Sequence, residues 1–176
     1  LKMDLDEVAA LSKALDLTGT SAFHGVQSKL GEVIAWRNTM WGLSDAMAKS
    51  SVPWHNMVQP DARFASAYRV VSQIAYPSIK NIIETIVASG LIYLNSHADD
   101  FKVPELRAYL DKYVRGSGGV DAEARVKTMK LLWDAIGTEF GARHELYEIN
   151  YLGSNDVTRL ANLYDAQNSG DLANMK

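Results

Sequence analysis

The stretch RHELYEINYLGS, Arg143 to Ser154, gathers His144, Glu145 and Glu148 within little more than one helical turn. An imidazole and two carboxylates are the donor types used by helical zinc and di-iron sites. The spacing suits neither. A helical zinc site places two histidines a turn apart, as in H-E-x-x-H, and here that second position is Glu148. A di-iron bundle needs Glu-x-x-His motifs on two helices, whereas this chain carries one cluster in the order His-Glu-x-x-Glu. The cluster reads as the polar side of a long helix, or as a brace for a subunit contact, and no metal is assigned to it.

Other chemistry-bearing residues are weaker. Asp99 and Asp100 are adjacent, so in an extended connector they point opposite ways and cannot share acid/base work. No G-x-S-x-G elbow supports a hydrolase. Arg115 to Gly119, RGSGG, precedes a helix and can in principle hold a phosphate, but it lacks the Lys-Ser/Thr of a P-loop. A plain flexible turn is the simpler reading. His24, just ahead of a helix, is either structural or a donor to an anion at that helix N-terminus.

These residues sit in a chain of 176 residues, 47% hydrophobic and 22% charged, with net charge -3. Lys and Arg are spread among Asp and Glu, so no basic stripe points to nucleic acid. The absence of cysteine excludes disulfides, thiolate metal sites and a cysteine nucleophile from this segment. It also fits a cytoplasmic setting. The first residue is Leu1, no signal-like run follows, and no stretch approaches the roughly 18 apolar residues of a membrane span. The expectation is a soluble chain, cut at its N-terminus, forming one domain or a piece of one.

The elements that must position these residues are helical. Asp4 to Asp16 has helical spacing, and LTGTSAF breaks it. Val26, Leu30, Val33, Met40 and Met47 share one helix face, widened by Ile34 and Trp41. SSVPWHNMVQP reads as a loop. Asp61 can N-cap a helix carrying Phe64, Tyr68, Val71, Ile79, Ile82 and Ile86, with a kink expected at Pro77 and a left-handed stop at Gly90. LIYLNSHADDFKV reads as an extended connector, and Pro104 starts a helix to about Tyr113. Asp121 can cap one long helix through Val126, Met129, Trp133, Ile136, Phe140 and Tyr147, and a shorter helix follows Asp156. The fold class is all-α, an antiparallel helix bundle. Trp36, Met40, Trp41 and Trp133 cannot all face one small core, which points to burial against other domains or subunits.

Four segments in order carry a family resemblance: FHGVQSKLGEVIAWRNTMW, IKNIIETIVASGLIYLNS, the run from Lys112 to Ser154, and AQNSG. They resemble the C-terminal helical domain of the large oxygenase component of 4-hydroxyphenylacetate 3-monooxygenase, in the acyl-CoA-dehydrogenase-like flavoprotein superfamily. The resemblance spans nearly all of residues 1–176. It implies that an N-terminal helical domain and a central β-domain are absent here. It further implies a two-component system: a flavin reductase supplies reduced FAD (FADH2), O2 is the oxidant, and a phenol is hydroxylated ortho to its hydroxyl, giving a catechol. A homotetramer is implied as well. No catalytic residue is assigned, because the family's substrate-binding and acid/base residues belong to the preceding domains, so this segment alone is expected to be inactive. Which phenol is used stays open.

The resemblance also ranks candidate cofactor residues. YLGSNDVTRL resembles the Tyr-Glu-Gly-Thr turn that lies against FAD in acyl-CoA dehydrogenases, which implies Gly153, Ser154, Asn155, Asp156 and Arg159 as flavin contacts. Arg159 is expected to pair with Asp156 or with an anion. The superfamily's catalytic Glu is replaced by Leu152, a departure that argues against acyl-CoA dehydrogenation. Ser89 and Gly90 match a turn touching a neighbouring subunit's FAD, with a plain helix stop as the alternative for Gly90. His24 and Gln27 precede a helix that faces the partner's pyrophosphate. Two other readings stand beside this one: a 4-hydroxybutyryl-CoA-dehydratase-like flavoprotein domain, and a purely structural helical oligomerisation module.

Overall fold

A computed structural model describes residues 5–151 and 153–175, with the side chains of residues 5–7 and of Glu148 outside that description. The described residues include eight α-helices, one short hairpin and three 3-10 turns: α1 (Leu5–Thr18), α2 (His24–Lys49), β1 (Val52–Trp54), β2 (Met57–Gln59), α3 (Ala62–Val87), α4 (Pro104–Tyr113), α5 (Ala122–Ile136), α6 (Glu139–Tyr151), α7 (Asn155–Asn168) and α8 (Asp171–Asn174), with the 3-10 turns at Ala88–Leu91, Ala98–Lys102 and Ser117–Gly119. The all-α expectation holds. Backbone contacts divide the chain into two compact units, with α2, α3 and α6 each contributing to both.

The unit formed by residues 2–34 and 79–143 has an apolar core. α1 packs on α5 and buries Leu11, Ala14 and Leu15 together with Val126, Met129, Leu132 and Ile136, while Ile79, Ile82, Ile83 and Val87 at the end of α3 are buried as well. These positions recur at helical spacing, so each helix buries one stripe, at about 1.5–3 kcal/mol per large side chain. The Asp121 carboxylate caps α5 by accepting from Ala124 N at 2.8 Å. α4 begins at Pro104 and ends at Tyr113, as the sequence predicts.

The unit formed by residues 35–78 and 144–176 is cross-linked mainly by polar groups. Asp61, only 3% exposed, caps α3 by accepting from Arg63 N at 2.9 Å. Arg63 also forks its guanidinium onto both Asp61 oxygens, at 3.1 and 2.7 Å. Those hydrogen bonds hold the Asp61 carboxyl below the usual carboxylate range, against the opposing effect of burial. Ser66 Oγ on α3 donates to Asp165 on α7 at 2.9 Å. α3 runs unbroken through Pro77, and the boundary between units falls just after it, at Ser78.

Several expectations are corrected. SSVPWHNMVQP holds an antiparallel hairpin, Val52 opposite Gln59 and Trp54 opposite Met57, turned at His55 with φ 52°. The long helix expected after Asp121 is two, α5 and α6. The Thr138 hydroxyl accepts from Gly141 N at 3.2 Å and restarts the helix, while Gly141 lets the backbones close: a Cβ there would lie 2.5 Å from the Asp134 carbonyl oxygen. Trp133, Phe140 and Tyr147 are accordingly 42%, 75% and 58% exposed instead of lining a core. The supposed extended connector contains a 3-10 turn, Ala98–Lys102, with a reciprocal cap between His97 and Asp100. Asp99 there bridges to Lys102 at 2.6 Å. RGSGG is an ordered turn: Gly116 N donates to Val120 O at 2.9 Å, and Gly116 is buried against Leu17. α1 continues to Thr18 before the LTGTSAF break takes effect.

Candidate functional site

The turn between α6 and α7 is built by three local devices. Gly153 has φ 101°, which L side chains rarely adopt, and its N–H closes the turn onto Asn150 O at 3.0 Å. Ser154 is the N-cap of α7: its Oγ accepts from Val157 N at 3.4 Å, and its carbonyl accepts from Thr158 N at 3.0 Å. Behind the turn lies α3. Gln73 Nε2 donates to the Gly153 carbonyl at 3.0 Å, and Gln73 Oε1 accepts from Thr158 Oγ1 at 3.2 Å. Gln73 is 8% exposed and Thr158 fully buried.

Ser154, Asn155, Asp156 and Arg159 all lie exposed on the outer side of this turn. The first N–H groups of a helix have no intrahelical acceptor, so the start of α7 presents donors and the positive end of the helix dipole. Arg159 does not pair with Asp156; its guanidinium folds back onto the Asn155 carbonyl at 2.9 Å. A second cation, Arg69, sits so close that a Cβ on Gly153 would lie 2.8 Å from its Nη2. Gly153 is therefore required first by its backbone angle, with the Arg69 side chain close against it, and residues 154–156 form the exposed surface of the turn. Asp156, in the first turn, is the opposing negative charge. The exposed N–H groups at the start of α7 can hold an acceptor-rich, anionic group. Leu152 lies outside the described residues.

The remaining candidates sit on separate elements. Ser89 is exposed in the 3-10 turn Ala88–Leu91, where its carbonyl accepts from Ile92 N and Tyr93 N, each at 3.0 Å. Gly90 is not the left-handed residue; Ala88, with φ 46°, takes that role at the end of α3. Gly90 is buried, and a Cβ would stand 3.3 Å from Thr18 Cγ2 and from Val87 Cγ1, so it serves close packing of this turn. His24 and Gln27 do not precede α2: both are exposed and lie in its first turn. His144 and Glu145 lie on α6, and among the described residues no three His, Asp or Glu converge as a metal site requires.

Residues 8–176 match the family described as HpaB, 4-hydroxyphenylacetate 3-hydroxylase C terminal. The chain belongs to this family. The 4-hydroxyphenylacetate 3-monooxygenase oxygenase component of Escherichia coli is 55% identical over 99% of this chain and 34% of its own length. The 4-nitrophenol 2-monooxygenase oxygenase component of a Rhodococcus species is 52% identical over 98% of this chain and 34% of its own. The chain thus spans about a third of the length of these relatives. A crystal structure of a 4-hydroxyphenylacetate 3-monooxygenase oxygenase component complexed with FAD and 4-hydroxyphenylacetate superposes with a TM-score of 0.85 at 28% identity, covering 96% of this chain and 36% of that one. An archaeal 4-hydroxybutyryl-CoA dehydratase gives a TM-score of 0.82 at 18% identity over 97% of this chain and 35% of its own, a likeness of fold alone.

Within this hydroxylase family domain, reading the sequence missed Gln73, Thr158 and Arg69. Gln73 did leave a trace: a long amide beside the inward-facing Ser66 and Ser72 of α3, where burial demands partners. Thr158 left none, because threonine in a helix is equally at home on the surface.

Proposed function

We propose that this domain belongs to the oxygenase component of a two-component aromatic monooxygenase that hydroxylates a para-substituted phenol ortho to its hydroxyl group. The observation that carries the reading is the family match over residues 8–176, together with relatives above 50% identity whose names describe that regiochemistry. Position 3 of 4-hydroxyphenylacetate and position 2 of 4-nitrophenol both adjoin the phenolic carbon. The proposed cofactor is FAD in its reduced form, delivered by a flavin reductase, with O2 as co-substrate. When bound, reduced FAD supplies the electrons that let O2 deliver one oxygen atom to the ring.

The chain's own contribution is positional. Ser154, Asn155 and Asp156 offer the open α7 N-terminus to the cofactor, and Arg69 and Arg159 add positive charge around it. Ser89, Gly90, His24 and Gln27 are proposed as contacts to a second subunit's cofactor. Gly90, being buried, acts there by shaping the turn and not by touch. The domain's exposed apolar residues suit homo-oligomerisation, proposed as a tetramer. Val157, Leu160 and Tyr164 share one face of α7, and Tyr147 and Tyr151 stack at 5.2 Å on α6. No helix among the described residues is long and apolar enough to cross a membrane; a cytoplasmic location is part of the proposal.

The activity is tested with the full-length protein, a flavin reductase, NADH, FAD and 4-hydroxyphenylacetate under 18O2. One labelled oxygen in a catechol product supports the reading; NADH consumption with no hydroxylated product from any para-substituted phenol refutes it. The turn is tested separately with Ser154→Asp, which keeps an N-capping side chain but adds a carboxylate where the cofactor is placed. Reduced-FAD affinity should fall about tenfold with little change in thermal stability, about 1.4 kcal/mol of binding. Unchanged affinity removes the turn from the site.

A further inference from the structure

The turn proposed to face FAD is set from behind by α3. We infer that Gln73 is the positioning residue of this site: its buried side-chain amide fixes the peptide between Gly153 and Ser154, and through it the direction of the α7 N-terminus. The inference rests on the assignment of the turn to the cofactor.

A glycine at φ 101° has a wide range of alternatives, so the peptide plane that follows it can rotate unless something holds it. Two groups do. Gln73 Nε2 holds the Gly153 carbonyl at 3.0 Å, and Thr158 N holds the Ser154 carbonyl at 3.0 Å. Rotation of the intervening peptide would turn the Ser154 N–H toward the Gln73 Nε2 donor. The other end of the amide, Oε1, faces Thr158 Oγ1 at 3.2 Å, so the two ends of Gln73 tie the Gly153 carbonyl to the first turn of α7. Thr158 is itself constrained. Its one hydroxyl proton has Asn155 O at 3.0 Å and Ser154 O at 3.3 Å as competing acceptors, all on the α7 cap. Both side chains are buried, so an unmade bond is not replaced by water and is costly. The pair thus ties the cap to α3 in the observed orientation. Neither Gln73 nor Thr158 reaches the outer rim where residues 154–156 lie, so the action is through the backbone.

Gln73→Glu and Gln73→Met in the full-length protein test this, with Thr158→Val as a third variant that removes only the hydroxyl. An ionised carboxylate at position 73 keeps the acceptor for Thr158 but offers the Gly153 carbonyl no donor; protonated, it restores one. Burial raises that carboxyl's pKa, and the Arg69 guanidinium, one turn earlier on α3 and beside Gly153, lowers it. In Gln73→Glu, reduced-FAD affinity measured anaerobically should be about tenfold weaker at pH 8 and recover as the carboxyl protonates on acidification. Gln73→Met should stay weak throughout, and the wild type should show no such titration. In the cofactor-free protein, amide exchange at Val157 and Thr158, whose N–H groups bond to Ser154, should quicken about tenfold in Gln73→Met and in Thr158→Val. Wild-type affinity across the pH range in Gln73→Glu, or unchanged exchange at the cap, overturns the assignment. If Ser154→Asp weakens FAD binding while the Gln73 variants do not, the positioning role alone fails. If Ser154→Asp is also silent, the cofactor assignment fails with it.

Discussion

Gly153→Ala isolates the most demanding residue of the turn. At φ 101° a Cβ meets the adjacent peptide, and leaving the right-handed regions costs about 1–2 kcal/mol. The new methyl would stand 2.8 Å from Arg69 Nη2 and 3.5 Å from Thr158 Cγ2. The first contact is with the end of a flexible side chain, which can withdraw, and the second is ordinary van der Waals distance. Strain therefore dominates, and the expected loss is about 1–3 kcal/mol once the guanidinium's displacement is included. Gly118 provides the reference: φ is 64° and nothing lies within 4 Å of a Cβ. Gly118→Ala should cost about 1 kcal/mol, and Gly118→Asn much less, because asparagine tolerates that left-handed well. At Gly153 asparagine should not rescue, since φ lies beyond the well and the longer side chain meets Arg69. Urea unfolding monitored by circular dichroism gives the differences, with roughly 2–4 °C of melting temperature per kcal/mol as a cross-check. If Gly153→Asn is as stable as wild type, or Gly153→Ala costs less than about 0.3 kcal/mol, the reasoning about the turn is wrong.

Two further perturbations probe the architecture. A Cβ at Gly137 would meet the Trp133 ring at 2.5 Å, and one at Gly141 would meet the Asp134 carbonyl oxygen at the same distance. Trp133 is partly exposed and can swing away, so Gly137→Ala should change stability by less than about 0.5 kcal/mol while shifting tryptophan fluorescence, whereas Gly141→Ala should cost about 1–3 kcal/mol because backbone must move; equal costs would refute the distinction. Asp61→Asn keeps a capping side chain and removes the charge that Arg63 holds. Because Asp61's pKa is lowered in the folded state, its stabilisation is complete above the unfolded value of about 4 and is lost as pH falls through the lowered folded value. The wild type should therefore be the more stable protein at neutral pH, with the difference closing in acid; a difference that grows on acidification contradicts the ion pair.

The long helices were legible because they bury apolar positions at helical spacing. Val33 and Met40 on α2 and Val126, Met129 and Ile136 on α5 lie inward as their spacing requires. Pro104 and Asp121 mark helix starts through local chemistry that sequence displays directly. The break between α5 and α6 was hidden because the apolar period continues across it to Phe140 and Tyr147, while the interruption depends on the Thr138 hydroxyl and a close backbone approach at Gly141. The hairpin was hidden by Pro53 inside a strand and by a turn at positive φ made without glycine, at His55. The Gly153–Ser154 turn was visible as glycine before an N-cap, yet its link to flavin came from family resemblance. The buried Gln73–Thr158 bond joins positions far apart in the chain, and no local pattern announces such a pairing.

The central claim is that the start of α7 faces reduced FAD. Hydrogen–deuterium exchange on the full-length protein, under anaerobic conditions with and without reduced FAD, addresses it directly. The account predicts that flavin slows exchange in peptides covering residues 153–160, an effect weakened by Ser154→Asp. Flavin that binds tightly yet leaves exchange across 153–160 unchanged would contradict it.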